Sequence, residues 1–165
     1  MATRRASRLT RANFGFVLAK ASQRWNELLQ QRFAAAGRPE IRASYGSILV
    51  PLFEQDGLRM SELARRARLS KQTMTTLVRR LEREQLVERR PDPIDGRAAL
   101  VVLTARGRSL EPVAGAILAE LEQLAQAHLS TKTTRQLKQA LLELTTLEQD
   151  AWVLERRHLT DAPSP

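Results

Sequence analysis

The chain has 165 residues, of which 42% are apolar and 27% are charged. This balance excludes a disordered chain and favours one globular domain with at most a modest appendage. The absence of cysteine excludes disulfides, thiol redox sensing, cysteine nucleophiles and cysteine-based zinc sites.

The basic charge is concentrated in the first two thirds of the chain. Residues 1–59 carry a net charge of +6 and residues 60–104 carry +4, whereas residues 105–165 carry −1, giving +9 in all. This excess favours a polyanionic partner, most commonly nucleic acid. No stretch is long enough to span a membrane, and the apolar stretch at 14–19 is too short for a secretory signal. We therefore expect a cytoplasmic protein.

The N-terminal third predicts two helices. Apolar residues between 11 and 36 recur along one helical stripe, and Gly37 followed by Pro39 is typical of a helix end. Residues 41–54 predict a second helix, in which Pro51 is expected to kink the helix or to break its last turn. A turn is expected directly afterwards, at Asp56 and Gly57.

Two short helices come next in the sequence. Ser61 and Ser70 are each predicted to cap the N-terminus of a helix, and the second helix is expected to run from Lys71 to about Glu84. Two short capped helices separated by a few residues are typical of a helix-turn-helix.

A β-hairpin is predicted directly after this helix pair. Residues 86–88 and 98–103 predict two strands, and Asp95 with Gly96 predicts the turn between them. A hairpin at this place is the wing of a winged helix-turn-helix. The predicted fold class is therefore mainly α with a small β-hairpin wing.

The C-terminal third predicts two further helices. Thr104 is expected to cap a helix from 105 to about 127, in which Pro112 predicts a bend or a late start. Ser130 or Thr131 is expected to cap the last helix. Its apolar residues repeat at near-heptad spacing and are Leu137, Leu141, Leu144, Leu147, Ala151 and Leu154.

The apolar stripes of the terminal helices exceed what the small central unit can cover. A dimer interface is the economical arrangement, and an intramolecular bundle is the alternative. The predicted organisation is a basic flexible arm at 1–8, N-terminal dimerisation and core helices at 9–55, a winged helix-turn-helix lobe at 56–107, C-terminal dimerisation helices at 108–160 and a flexible tail at 161–165.

The second helix of the pair predicts a DNA-reading face. A helical wheel places Met74, Leu77, Val78 and Leu81 on the inner side. The predicted DNA-contacting residues are Lys71, Gln72, Thr73, Thr75, Thr76, Arg79, Arg80 and Arg83. Glutamine and threonine can read base edges in the major groove, and arginines can anchor phosphates. The alternative is an ordinary solvated helix face.

The hairpin predicts a second DNA-reading element. Arg97 lies beside the turn, where a thin hairpin can carry it into a narrow, electronegative minor groove. Arg89 and Arg90 at the hairpin base can add phosphate contacts. Asp95 shapes the turn, and Asp92 or Asp95 is expected to hold an arginine in place by a charge-assisted hydrogen bond.

Leu58 to Gly107 resembles the MarR family of bacterial transcription regulators. The resemblance is carried by Ser61-Glu62-Leu63-Ala64, Leu69-Ser70, Leu77-Val78, Leu81-Glu82, Leu86-Val87-Glu88-Arg89, Asp92-Pro93, Asp95-Gly96-Arg97, Leu103-Thr104 and Gly107. It implies a homodimer with interlocking terminal helices and two winged lobes on a pseudo-palindromic double-stranded DNA operator. It also implies repression, less often activation, that a small aromatic ligand commonly relieves.

In such regulators the ligand lies between the dimer helices and the DNA-binding lobe. The resemblance therefore implies a pocket lined by Trp25, Phe33, Tyr45 and Phe53, and the alternative for each is plain core packing. We expect no cofactor, no metal and no enzyme, because the sequence shows no nucleophile–base pair, metal-ligand spacing or phosphate loop. The alternatives to a specific regulator are a non-specific nucleic-acid-coating protein and a protein-interaction module.

Overall fold

The computed structural model describes residues 10–147, and it is mainly α with one small antiparallel sheet, as predicted. The elements are α1 (Phe14–Ala35), a 3-10 helix (Ala43–Tyr45), α2 (Gly46–Glu54), β1 (Leu58–Arg59), α3 (Met60–Ala67), α4 (Lys71–Arg83), β2 (Val87–Pro91), β3 (Ala99–Leu103), α5 (Ala105–Leu129) and α6 (Thr131–Leu144). The predicted arm at 1–8 and tail at 161–165 lie outside the described residues.

The chain divides into two compact units, one extending to Leu121 and the other starting at Glu122. Among the helices of the described part, none combines the length and the apolar character that a membrane crossing requires.

Helix α1 begins and ends where local hydrogen bonds satisfy the free amides and carbonyls of its backbone. The Asn13 side chain accepts a hydrogen bond from the Phe16 amide at 3.3 Å, so the helix begins at Phe14 rather than at the predicted residue 11. At the other end Gly37 adopts a φ of +74°, and the Arg38 amide donates to the Phe33 carbonyl. This left-handed glycine ends the helix as predicted.

The second predicted helix is shorter than expected. A 3-10 turn occupies Ala43–Tyr45, and α2 begins only at Gly46. The predicted break at Pro51 is wrong, because the helix continues to Glu54 and the Gln55 amide donates to the Pro51 carbonyl at 3.0 Å. The proline removes one helical hydrogen bond. Burial of Ile48, Leu49 and Leu52 favours the helix nevertheless.

The predicted cap at Ser61 is wrong. Arg59 occupies the position before α3 in an extended conformation, and Ser61 is the second helical residue. The reason is strand β1, which sequence reasoning missed. Leu58 and Arg59 pair with Val101 and Leu100 of β3, so the chain passes directly from strand to helix.

Helix α4 follows its predicted pattern closely. The Ser70 hydroxyl accepts from the Thr73 amide at 3.1 Å, which confirms the predicted cap. Met74, Val78 and Leu81 are fully buried on its inner face. Helix α4 is therefore packed against the core on one side, and its other side faces solvent.

The sheet has the order β1-β3-β2, and both pairings are antiparallel. Val87 faces Leu103 and Arg89 faces Val101. Strand β2 extends to Pro91, three residues beyond the predicted strand at 86–88. Strand β3 begins at Ala99, one residue after its predicted start.

Helix α5 begins at Ala105, where the Thr104 hydroxyl accepts from the Gly107 amide at 3.0 Å. The predicted cap is confirmed, and the helix does not start late at Pro112. Gly107 packs tightly, since a Cβ there would lie 2.0 Å from the Leu86 carbonyl oxygen.

Helix α6 is capped by Ser130, whose hydroxyl accepts from the Thr133 amide at 3.3 Å. It ends at Leu144, before the predicted continuation through Leu147. The predicted helical residues Ala151 and Leu154 lie outside the described part of the chain. Helix α6 buries none of its residues.

Candidate nucleic-acid interface

The outer face of α4 presents the predicted polar residues to solvent. Seven of the eight are exposed, and Thr75 is half-buried; the exposed ones are Lys71, Gln72, Thr73, Thr76, Arg79, Arg80 and Arg83. Amide and hydroxyl groups lie toward the helix N-terminus, and guanidinium groups lie toward its C-terminus. This order suits base reading at one end of the helix and phosphate binding at the other.

The threonine hydroxyls of this face are partly engaged by the backbone. Thr75 donates to the Lys71 carbonyl at 2.8 Å, and Thr76 donates to the Gln72 carbonyl at 3.1 Å. Their hydroxyl hydrogens are therefore occupied. Each threonine keeps acceptor lone pairs and a methyl group, and the methyl suits apolar contact with thymine.

The arginines of α4 are not neutralised by carboxylates within residues 10–147. Arg79, Arg80 and Arg83 form no ion pair in this part of the chain, whereas most other arginines of the lobe do. Three guanidinium groups on one helix end, without acidic partners, make a site for a polyanion.

The wing tip is built on a turn in which Asp95 accepts two backbone hydrogen bonds. The Ala98 amide donates to the Asp95 carbonyl at 2.8 Å, and the Arg97 amide donates to the Asp95 carboxylate at 3.2 Å. This Asx turn confirms the shaping role predicted for Asp95. The Arg97 side chain is exposed beside the tip, as the sequence predicts.

The arginines at the wing base are tied to glutamates. Arg89 pairs with Glu82 of α4 at 3.1 Å, and Arg90 pairs with Glu88 at 2.5 Å. Sequence reasoning missed both pairs. Glu88 and Arg90 are two residues apart on β2, so their side chains share one face of the strand, whereas the pair of Arg89 with Glu82 joins a strand to a helix and is not visible from spacing. Exposed pairs of this kind contribute little to stability. A phosphate can therefore compete for both arginines.

The arginine that the wing carboxylates hold is Arg59, not Arg97. Its guanidinium lies 2.5 Å from the Asp92 carboxylate and 3.9 Å from that of Asp95. Asp92 is only 5% exposed, and its pKa is lowered by the hydrogen bond from the Ile94 amide and by Arg59. Arg59 lies on β1, the strand that the sequence did not reveal. It fixes the wing to the lobe.

The four residues predicted to line a ligand pocket do not share one environment. Phe33 and Tyr45 are buried in the core, Phe53 packs against that core, and Trp25 is 37% exposed on α1. The Tyr45 hydroxyl donates to the Glu84 carboxylate at 2.5 Å. Burial and this hydrogen bond raise the pKa of Tyr45 to about 12.

Among residues 10–147, no three histidine, aspartate or glutamate side chains cluster in a way that suits a metal ion. The chemistry of the lobe is that of a cationic helix face beside an arginine-bearing hairpin.

Comparisons with known proteins agree with this geometry. Residues 43–99 match the model of the MarR family. The HTH-type transcriptional repressor Rv2887 of Mycobacterium tuberculosis is 33% identical over 125 residues, which are 70% of this chain and 90% of that protein.

Two solved structures are similar over most of the chain. The S. aureus MepR–DNA complex has a TM-score of 0.69 at 26% identity and covers 81% of this chain and 96% of MepR. Rv2887 of Mycobacterium tuberculosis in complex with salicylic acid has a TM-score of 0.58 at 28% identity, with coverages of 81% and 96%. The chain belongs to the MarR family of winged helix-turn-helix transcription regulators.

Proposed function

We propose that this protein is a homodimeric, sequence-specific DNA-binding repressor. In this proposal α4 enters the major groove and the wing enters the adjacent minor groove. The observation that carries it is the cationic face of α4, whose arginines form no ion pair within residues 10–147, together with the exposed Arg97 on the wing. The similarity to MepR, which was solved with DNA, supports the same mode of binding.

The residues of the two elements take different roles in this proposal. Gln72, Thr73 and Thr76, with Lys71 and Thr75, face base edges near the N-terminus of α4. Phosphates are bound by Arg79, Arg80 and Arg83 of α4 and by Arg89 and Arg90 at the wing base. Arg97 reads the minor groove, and Asp95 holds the turn that presents it.

A second copy of the chain covers the apolar faces of the terminal helices. Phe14 and Val17 of α1 are 65% and 50% exposed, and Leu137 and Leu142 of α6 are 47% and 54% exposed. Exposed apolar residues in such numbers favour association. The domain organisation proposed is dimerisation helices at 9–55 and 108–160 around the DNA-binding lobe at 56–107. Two lobes then read a pseudo-palindrome.

A small aromatic ligand is proposed to release the DNA. The support is Rv2887, which was solved with salicylic acid. The proposed pocket is lined by Trp25, Phe33, Tyr45 and Phe53. Phe33 and Tyr45 are buried, so a ligand reaches them only if the core around them opens in the dimer. A DNA-binding regulator of this kind acts in the bacterial cytoplasm without catalysis.

The test is fluorescence-anisotropy binding to an operator selected from random duplexes, compared with a scrambled duplex of equal length. We expect a preference of about a thousandfold or more at physiological salt. Arg97→Ala is expected to weaken operator binding by about tenfold to a hundredfold. Light scattering should show the same dimer for both proteins.

Arg24→Ala is the matched control, because Arg24 is an exposed arginine outside the lobe and pairs with Glu27. It should leave the affinity unchanged. Equal affinity of the wild-type protein for operator and scrambled duplexes, with a steep salt dependence, would instead identify the non-specific coating protein that the net charge of +9 also permits.

A further inference from the structure

The wing tip carries one apolar side chain that the fold does not use. Ile94 is 92% exposed, more than any other large apolar residue of the described part. The other exposed large apolar residues lie at 14–50 and 118–147, on or beside the terminal helices. Among the described residues 56–107, Ile94 is the single exposed one. A second copy covering the terminal helices does not explain it.

The backbone beneath Ile94 is held in place. The Ile94 amide donates to the Asp92 carboxylate at 2.9 Å, and the Asp95 amide donates to the same oxygen at 3.3 Å. The other Asp92 oxygen accepts from Arg59 Nε at 2.7 Å. Pro93 fixes one further backbone dihedral. The tip therefore presents Ile94 in a preformed position, which reduces the entropy lost on binding.

The charged neighbours of Ile94 along the chain are Asp92 and Asp95, whose carboxylates lie near Arg59, and the cation Arg97. Arg97 lies three residues further on, across the Asp95–Ala98 turn, and its side chain is also exposed. An apolar group beside a cation fits the minor groove, whose walls carry apolar sugar edges between anionic phosphates. Apolar residues such as isoleucine and proline serve there as wedges between base steps.

We propose that Ile94 is a specificity-determining residue that enters the minor groove beside Arg97. The inference rests on the proposed function and deepens it. Ile94 packs against deoxyribose and base edges, and the guanine amino group on the groove floor disfavours G·C pairs at these steps. The wing then reads groove shape through Ile94 and negative potential through Arg97.

The first experiment is operator binding by Ile94→Ser and Ile94→Leu across a salt series. Ile94→Ser is expected to lose about tenfold in affinity, and Ile94→Leu to keep most of the affinity. The salt slope should not change, because an apolar contact releases no counterions; Arg97→Ala should reduce the slope by about one. Ile94→Leu is the matched control, because it keeps the apolar volume at the same position.

A second experiment locates the side chain directly. The chain has no cysteine, so Ile94→Cys creates a unique thiol for an iron chelate that cleaves nearby deoxyribose. We expect two cleavage clusters per operator, staggered across the strands as minor-groove cleavage is. Cleavage with a major-groove stagger, or no cleavage of bound operator, would overturn the assignment.

The outcomes separate the two proposals. If wild-type protein prefers its operator but Ile94→Ser binds equally well, the inference fails and the proposed function stands. If Ile94→Ser lowers the salt slope as Arg97→Ala does, Ile94 only positions Arg97, and the inference also fails. If wild-type protein does not discriminate between duplexes, the proposed function fails and the inference fails with it. An unchanged melting temperature of Ile94→Ser shows that the fold is retained.

Discussion

The winged lobe and the terminal helices use their apolar residues in opposite ways. Helix α4 buries Met74, Val78 and Leu81 within 13 residues, whereas α1 buries only Phe33 within 22 residues. Helix α6 buries none of its 14 residues. The lobe thus completes its core within one chain. The terminal helices carry apolar stripes that a single chain leaves exposed, which is the pattern of an element built for a partner.

Substitutions are therefore expected to have different consequences in the two regions. In the lobe, a side chain is constrained by neighbours already present, so a small change of volume is costly. In the proposed dimer, a side chain on the terminal helices is constrained by the second copy, so a substitution there should change the dissociation constant of the dimer. Substitutions in the two regions should therefore alter different measured quantities.

The largest effect is expected from Gly107→Ala, which should destabilise the winged lobe. A Cβ at Gly107 would lie 2.0 Å from the Leu86 carbonyl oxygen, and that backbone atom cannot rotate away. We expect a loss of about 3 kcal/mol in the free energy of unfolding, measured by urea denaturation.

Gly115→Ala is the control within the same helix. Nothing lies within 4 Å of a Cβ at Gly115, so alanine should stabilise α5 by about 0.5–1 kcal/mol. Equal effects of the two substitutions would show that helix propensity, and not the contact with Leu86, decides the result at Gly107.

The next effect tests the terminal helices. Leu137→Lys with Leu141→Lys places two charges on one exposed apolar face of α6, four residues apart. We expect the dissociation constant of the dimer to rise at least about a hundredfold, equivalent to about 2.7 kcal/mol. Analytical ultracentrifugation measures it.

Gln136→Lys with Glu143→Gln changes the net charge by the same two units and should leave the dimer intact. On a helical wheel both residues point away from Leu137 and Leu142. If both double variants dissociate equally, net charge controls association, and the apolar face of α6 does not.

The sequence predicted the parts of the lobe that depend on local chemistry. Ser70 was identified as a cap because its hydroxyl needs only the Thr73 amide three residues later. Ser61 has the same residue type and fails, since the two-residue strand β1 places Arg59 at the start of the helix. A strand of two residues has no periodicity to detect.

The parts that depend on distant partners were not accessible to this reasoning. The pairing of Arg59 with Asp92 joins residues 33 positions apart. The sequence predicts that Asp92 or Asp95 holds an arginine, but it does not identify which one. The proposed ligand residues are a further case. Phe33 and Tyr45 lie in the core and Trp25 lies on the surface, and no spacing in the sequence distinguishes these environments.

The smallest effect concerns a hydrogen bond between the turn before α2 and the end of α4. The Tyr45 hydroxyl, in the turn before α2, donates to Glu84 at the C-terminal cap of α4, and the other Glu84 oxygen is buried without a partner among the described residues. Tyr45→Phe leaves that carboxylate unsatisfied. We expect it to lose about 1–2 kcal/mol in the free energy of unfolding.

The titration of Tyr45 tests the same contact without a mutation. Tyr45 is the single tyrosine of the chain, so tyrosinate absorbance reports on it alone. Burial and the bond to Glu84 raise its pKa from 10.0 to about 12 in the folded protein. Between these values the unfolded chain ionises while the folded chain does not, so stability falls as the pH rises from 10.0 to about 12. Tyr45→Phe should remove the part of the loss of stability that comes from ionisation of the tyrosine.

Glu84→Gln should lower the titration midpoint of Tyr45 only partly, because burial is the larger cause of its raised pKa. A wild-type midpoint near 10.0 would show that Tyr45 is neither buried nor bonded to Glu84 in solution.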